Sequence, residues 1–68
     1  DFSLPLIDNI EINIYDINGE HIENIMTGIR PAGFYTAYWN ASSRPTGMYF
    51  IHFSSNQANK TMKVILIK

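Results

Sequence analysis

The apolar residues of this chain are spaced for β-strands and nowhere for an uninterrupted helix. Ile10, Ile12 and Ile14 alternate with the polar Glu11 and Asn13, which places three β-branched side chains on one face of a half-buried strand. No stretch of about ten residues or more holds apolar positions at the helical period of 3.6 without an intervening glycine or proline. The spacing therefore predicts an all-β fold.

Turn residues follow this first strand directly. Asn18 and Gly19 both tolerate positive φ, which predicts a tight type I′ hairpin. The returning strand is expected over about residues 21–27, and Gly28 is expected to break it.

Later strands are separated by similar signals. Pro31 and Gly33 predict a second turn, and the aromatic and β-branched residues 34–39 predict a third strand. Residues 48–53 are apolar on both faces, which favours a central position in a sheet. The last turn is expected over residues 54–59.

The short segment Phe2–Leu4 is predicted to be an edge strand that ends at Pro5, because proline cannot donate to a strand ladder. With it, the chain is expected to form a small antiparallel β-sandwich of about six to seven strands. Its 68 residues allow one domain at most, and without cysteine that domain has no disulfides.

Charge and hydropathy argue against a nucleic-acid partner and against a transmembrane segment. The formal net charge is -1, and the five basic residues lack the clustering that a nucleic-acid surface requires. The longest apolar runs, residues 48–51 and 64–67, are far shorter than the roughly 20 residues that span a bilayer. We therefore expect neither a nucleic-acid partner nor a transmembrane segment.

One loop has a weak likeness to a calcium site. Asp16, Asn18 and Glu20 offer oxygen atoms at every second residue, but Thr27 stands where a calcium loop has its closing glutamate. A hairpin turn explains these residues better.

The two imidazoles, His21 and His52, have no third metal ligand near them in sequence. His21 is expected to be solvated after the turn, and His52 to line a strand face. No nucleophile, base and orienting group can be identified together, so we expect neither catalytic residues nor a cofactor.

Six aromatic residues allow two interpretations, a sugar-stacking platform or a packed core. Most of them are expected to fill the core, because a domain this small has few other large side chains to bury. Trp39, beside a polar loop, is the one expected to be exposed. The six residues are Tyr35, Tyr38, Trp39, Tyr49, Phe50 and Phe53.

The terminal segment Thr61–Lys68 is mostly apolar and predicts a closing strand, over about residues 60–68. Chain ends fray unless they are tied down, so this segment is expected to be paired in a sheet or held for recognition.

Taken in order, several segments resemble the type A C-terminal sorting domain of the type IX (Por) secretion system. They are also similar to the related Ig-like domain of the flagellar hook-capping protein. The resemblance covers nearly the whole chain. The segments are residues 2–5, 12–19, 31–33, 38–40, 46–50 and 60–68.

The resemblance implies a small Ig-like β-sandwich at the C-terminus of a larger cargo, which directs export across the outer membrane. It implies recognition by the translocon and its shuttle protein, a secreted or cell-surface location and no enzymatic activity. The resemblance also implies that export is often followed by cleavage and by attachment of the cargo to surface lipopolysaccharide.

Residue by residue, the resemblance makes Gly47 and Tyr49 a Gly-x-Tyr pair and matches Lys63 and Lys68 to basic positions of the terminal strand. These four are the expected recognition residues. The expected turn residues are Asn18, Gly19, Pro31 and Gly33. The Asn-Pro-Phe-Asn-Pro opening of the family is absent, which predicts a chain that begins inside the domain, without its first strand, as the tail of a longer protein.

Strand addition along the terminal strand is the expected docking mode. Two other functions stay open. The chain could be a structural Ig-like domain of a surface or fibre-forming protein, assembling with copies of itself by strand addition. It could also be a carbohydrate-binding module that uses Trp39 and neighbouring tyrosines.

Overall fold

The computed structural model describes residues 1–67, which form six antiparallel strands in two sheets. Residues 1–67 contain no helix that could span a membrane. The predicted all-β sandwich is confirmed. The strands are β1 (Phe2–Leu4), β2 (Asp8–Asp16), β3 (His21–Arg30), β4 (Gly33–Tyr35), β5 (Gly47–Ser54) and β6 (Asn59–Leu66).

The larger sheet has the strand order β3-β2-β5-β6, and the smaller one consists of β1 and β4. β5 therefore lies inside the larger sheet, as its apolar sequence predicts. The two sheets meet where the ring centroids of Phe2 on β1 and Phe53 on β5 lie 5.3 Å apart. Within the smaller sheet, the Phe2 ring stacks on that of Tyr35 with centroids 5.5 Å apart. Phe2–Leu4 is an edge strand that ends before Pro5, also as predicted.

Isoleucine supplies most of the core. Ile10, Ile12 and Ile14 are all buried, which confirms the alternation predicted for β2, and Leu4 and Tyr49 complete the buried apolar set. The aromatic residues contribute less than predicted, because Tyr49 alone among the six is fully buried.

The β2–β3 hairpin is confirmed, but its predicted type I′ geometry is wrong. The Gly19 N–H donates to the Asp16 carbonyl at 3.0 Å, so Ile17 and Asn18 are the central turn residues. Positive φ occurs at Gly19, at +81°, and not at Asn18. This is a type I turn followed by a left-handed glycine. The Asp16 Oδ1 favours it by accepting the N–H groups of Asn18 and Glu20, each at 2.9 Å.

Replacing Asp16 with alanine is expected to lower the free energy of unfolding by about 1 kcal/mol, because two backbone N–H groups lose their acceptor. Asp16→Asn keeps Oδ1 and should retain most of the stability. Urea unfolding followed by the fluorescence of Trp39, the only tryptophan, measures both variants. Equal losses would show that the carboxylate charge, rather than the acceptor atom, supports the turn.

Two strand boundaries differ from prediction. Gly28 does not break β3, which continues to Arg30 with Gly28 paired to Ile10 at a φ of +122°. Glycine accommodates this φ because it has no Cβ. The strand predicted over residues 34–39 is reduced to Gly33–Tyr35, since its partner β1 offers only 3 residues.

The predicted turn residues Pro31 and Gly33 lie where the chain passes from β3 to β4. Pro31 follows the end of β3, and Gly33 opens β4 opposite Leu4 with a φ of +150°. A φ in this region is strained for any residue with a Cβ.

Candidate functional site

β6 forms a regular edge of the larger sheet. It pairs with β5 from Asn59 opposite Ser54 to Leu66 opposite Gly47, without a register shift. The turn between the two strands is held by Ser55, whose Oγ accepts the Ala58 N–H at 3.0 Å. No described strand pairs with the other side of β6. The closing strand predicted over residues 60–68 is thus an edge strand, and Lys68 lies outside the described residues.

The core face of the sheet becomes uncovered towards β6. Residues opposite one another in neighbouring antiparallel strands share a face, so Ile14, Ile51 and Met62 form one row across β2, β5 and β6. Ile14 is 0% exposed, Ile51 is half-buried and Met62 is 65% exposed. The core face is therefore covered at β2 but open at β6, where Met62, Val64 and Leu66 on this face form an apolar strip.

Two lysines lie along this edge. Lys60 is opposite Phe53 on the core face, and Lys63 is opposite Phe50 on the outer face. Both lysines are exposed. Neither forms an ion pair within residues 1–67, where the ion pair joins Arg44 and Glu23 at 4.0 Å. β6 thus presents positive charge on both faces.

Gly47 opens β5 beside a groove of about 420 Å³. Its φ is not positive, and a Cβ at this position would meet nothing within 4 Å. Neither backbone strain nor packing within residues 1–67 requires glycine here. The acidic and basic residues that line the groove are Asp16, Glu20, His21 and Arg44.

Tyr49 lies in the core rather than on the surface. It is 4% exposed, and its hydroxyl donates to the Pro45 carbonyl at 2.6 Å. The same kind of bond, from a tyrosine hydroxyl to backbone a few residues upstream, stabilises corners in Ig sandwiches. Tyr49 therefore orients the start of β5, and with it Gly47.

The predicted exposure of Trp39 is wrong. Its ring packs edge-on against Tyr49 with centroids 5.2 Å apart, and its Nε1–H donates to Glu23 Oε1 at 3.3 Å. Trp39 is half-buried, whereas its neighbour Tyr38 is 82% exposed. An indole finds both an apolar surface and an acceptor at this position, which explains why it turns inward.

A short internal repeat was not apparent from the spacing of strands and turns. Pro31-Ala32-Gly33-Phe34-Tyr35 and Pro45-Thr46-Gly47-Met48-Tyr49 share the pattern Pro-x-Gly-x-Tyr, and each leads into a strand. In both, the tyrosine hydroxyl donates to the carbonyl of the proline four residues earlier. Comparing the residues before β4 and β5 would have revealed it.

Removing the Tyr49 hydroxyl, as in Tyr49→Phe, is expected to reduce the free energy of unfolding by about 1 kcal/mol, because the Pro45 carbonyl loses its partner in a partly buried site. Tyr35→Phe is the matched control, since its bond to Pro31 is exposed and water can replace it. Urea titration should therefore show a clearly larger shift for Tyr49→Phe. A larger shift for Tyr35→Phe would contradict this difference.

The histidines lie on the outer face of the larger sheet. His21 Nε2–H donates to Asn13 Oδ1 at 3.0 Å, and the same oxygen accepts from Asn24 Nδ2 at 2.9 Å. The rings of His21 and His52 lie 5.5 and 6.4 Å from that of Tyr15. Within residues 1–67, no group of three or more His, Asp or Glu residues is placed to hold a metal ion.

Charge is separated along the chain, a second signal that sequence reasoning missed. All 6 acidic residues lie at or before Glu23, and all 5 basic residues lie at or after Arg30. Because β6 carries two of the lysines and no acidic residue, this edge of the larger sheet is basic.

The described residues form a small β-sandwich whose last strand, β6, is a free edge of the larger sheet. The chain matches the family described as "Secretion system C-terminal sorting domain" over residues 1–68 and belongs to that family. No curated protein and no solved structure matches it.

Membership of this family confirms the resemblance drawn from the sequence. The domain is a C-terminal secretion-sorting signal of an exported protein, and it directs export across the outer membrane to the cell surface or the exterior. Such domains interact with the type IX secretion machinery and are in general non-catalytic.

Proposed function

We propose that residues 1–68 form a single non-catalytic domain at the end of a longer exported protein, and that the secretion machinery recognises it along β6. The partners would be the translocon and its shuttle protein, and attachment of the cargo to the cell surface would follow export. The observation that carries this proposal is the regular β6 edge, which is free on one side and partly uncovered on its core face.

Strand addition suits this edge. An edge strand offers unpaired N–H and C=O groups, and an extended partner segment can pair with them while its side chains contact alternate faces. β6 keeps its register with β5 from end to end, so a partner strand would meet no irregularity. The exposed side chains of Met62 and Ile65 would supply apolar contacts on the two faces.

The four expected recognition residues divide into two roles in this proposal. Lys63 is exposed, and Gly47 is half-buried with open space where a Cβ would lie, so both would contact the partner directly. Tyr49 is buried and would act by positioning β5, through its bond to Pro45. Lys68, outside the described residues, keeps the direct role that the resemblance implies.

An export assay tests the proposal. The whole chain is fused behind a reporter in a cell that carries a type IX system, and residues 64–68 are deleted. Export is expected to fall to background, because the deletion removes the last 3 of the 8 residues of β6, the proposed docking edge. Wild-type export of the truncated fusion would reject the proposed site.

A pair of point variants separates docking from folding. Ile65 on β6 and Ile29 on β3 are both exposed isoleucines on edge strands, at 61% and 67%. Ile65→Asp should strongly reduce export, whereas Ile29→Asp should leave it unchanged. Resistance of both variants to trypsin checks that they fold. Equal export of the two would contradict recognition along β6.

A further inference from the structure

A second copy of this chain fits the free edge of β6 poorly. Two β6 strands paired antiparallel would bring the lysines of one copy towards those of the other, and like charges that face each other across strands are destabilising. The opposite edge, β3, has two register shifts against β2 and contains Gly28. Such irregularities blunt an edge against pairing. These features disfavour a second copy of this chain as the occupant of β6.

The charge expected of a partner strand follows from the charge of β6. Lys60 and Lys63 project on opposite faces, and the chain contains no acidic residue after Glu23. In the described part of the chain the ion pair joins Arg44 and Glu23, so Lys60 and Lys63 have no acidic partner there and can pair with acidic residues of another protein. A paired strand places its side chains within about 5 Å of these positions, where carboxylates would be attracted.

The apolar requirement follows from the uncovered strip. Met62 lies in the same row as the fully buried Ile14, yet it is 65% exposed. An apolar side chain opposite Met62 would continue the core across the new strand and remove that surface from water. The strip thus favours an apolar partner residue opposite Met62, between the positions opposite Lys60 and Lys63.

We propose, on the basis of the function proposed above, that β6 receives an extended segment of the secretion machinery with acidic side chains opposite Lys60 and Lys63 and an apolar side chain opposite Met62. The lysines select the partner by charge, and the backbone edge and the apolar strip hold it. The free chain is a monomer.

Two labelled synthetic peptides test this inference on the full chain by fluorescence anisotropy. They are identical except that one carries glutamate and the other lysine at the two positions that lie opposite Lys60 and Lys63 when a leucine is placed to meet Met62. These positions are two residues from the leucine on one side and one residue from it on the other. The glutamate peptide is expected to bind at least tenfold more tightly, and the difference should shrink as salt screens the charges. Lys63→Glu should remove most of the preference, because each peptide then meets one attractive and one repulsive charge, whereas Arg30→Glu, on β3, should leave the preference unchanged.

Equal binding of the two peptides, failure of the glutamate peptide to bind, or a preference unaffected by Lys63→Glu would overturn the inference. A concentration-dependent dimer of the free chain would overturn it as well. The outcomes are separable from those of the export assay. Loss of export on deletion of residues 64–68, together with equal peptide binding, rejects the acidic partner alone. Unchanged export together with glutamate-selective binding rejects the sorting role of β6 alone.

Discussion

Replacing Ile14 with alanine is expected to leave much of the domain unfolded at room temperature. The Ile14 side chain is 0% exposed and lies at the centre of the larger sheet, paired with Ile51 on one side and Glu23 on the other. Truncating a fully buried isoleucine typically costs about 2–5 kcal/mol, from lost burial and from the cavity left behind. A core of this size supplies only about 3–5 kcal/mol in total, so the loss is comparable with the whole stability.

Ile17→Ala is the matched control, because Ile17 lies in the adjacent turn and is 66% exposed. It should change the free energy of unfolding by less than about 0.5 kcal/mol. Urea titration with Trp39 fluorescence gives both values, provided that the Ile14 variant retains a folded baseline in a stabilising osmolyte. A cooperative transition for Ile14→Ala close to that of the unmodified chain would show that the core collapses around the missing atoms.

Local sequence pattern predicts those strands in which every second side chain has the same degree of burial. The alternation of Ile10, Ile12 and Ile14 identifies β2, because one face of that strand is buried and the other is polar. The continuous apolar run in β5 identifies an interior strand for the same reason. These features depend on single residues and their immediate neighbours, which the sequence displays directly.

Features that depend on a partner strand are not visible in this way. β4 ends at Tyr35 because β1 is short, although residues 36–39 have strand-forming composition. The turn after β2 takes its type I form through the Asp16 carboxylate, which competes with the geometry that Asn18 and Gly19 favour by themselves. In both cases a tertiary or side-chain contact overrides local propensity.

The candidate site shows the same division. The terminal apolar segment predicts β6, but the exposure of Met62 depends on what the rest of the fold places over β6, which no residue of β6 encodes. The inward turn of Trp39 likewise requires Tyr49 and Glu23, which are distant in sequence. Charge separation and the Pro-x-Gly-x-Tyr repeat were readable in the sequence, whereas their spatial consequences needed the fold.

Gly28→Ala is expected to reduce the free energy of unfolding by about 2 kcal/mol, although it adds only a methyl group. At a φ of +122°, Gly28 occupies a region that residues with a Cβ rarely adopt, and such strain costs about 1–3 kcal/mol. Steric crowding is not the cause, because the nearest atom to the new Cβ would be Arg30 Nη1, at an ordinary 3.7 Å. The alternative for the chain is to break the ladder between Gly28 and Ile10 and expose the core.

Gly47→Ala provides the control, because it adds the same methyl group at a strand position without a positive φ and with no atom within 4 Å. The free energy of unfolding of Gly47→Ala should stay within about 0.5 kcal/mol of that of the unmodified chain. It should rise slightly if the alanine reduces the conformational freedom of the unfolded state. The difference between the two urea midpoints therefore isolates the cost of backbone conformation. Equal midpoints would mean that β3 relaxes around Gly28 to a negative φ without losing its pairing to β2.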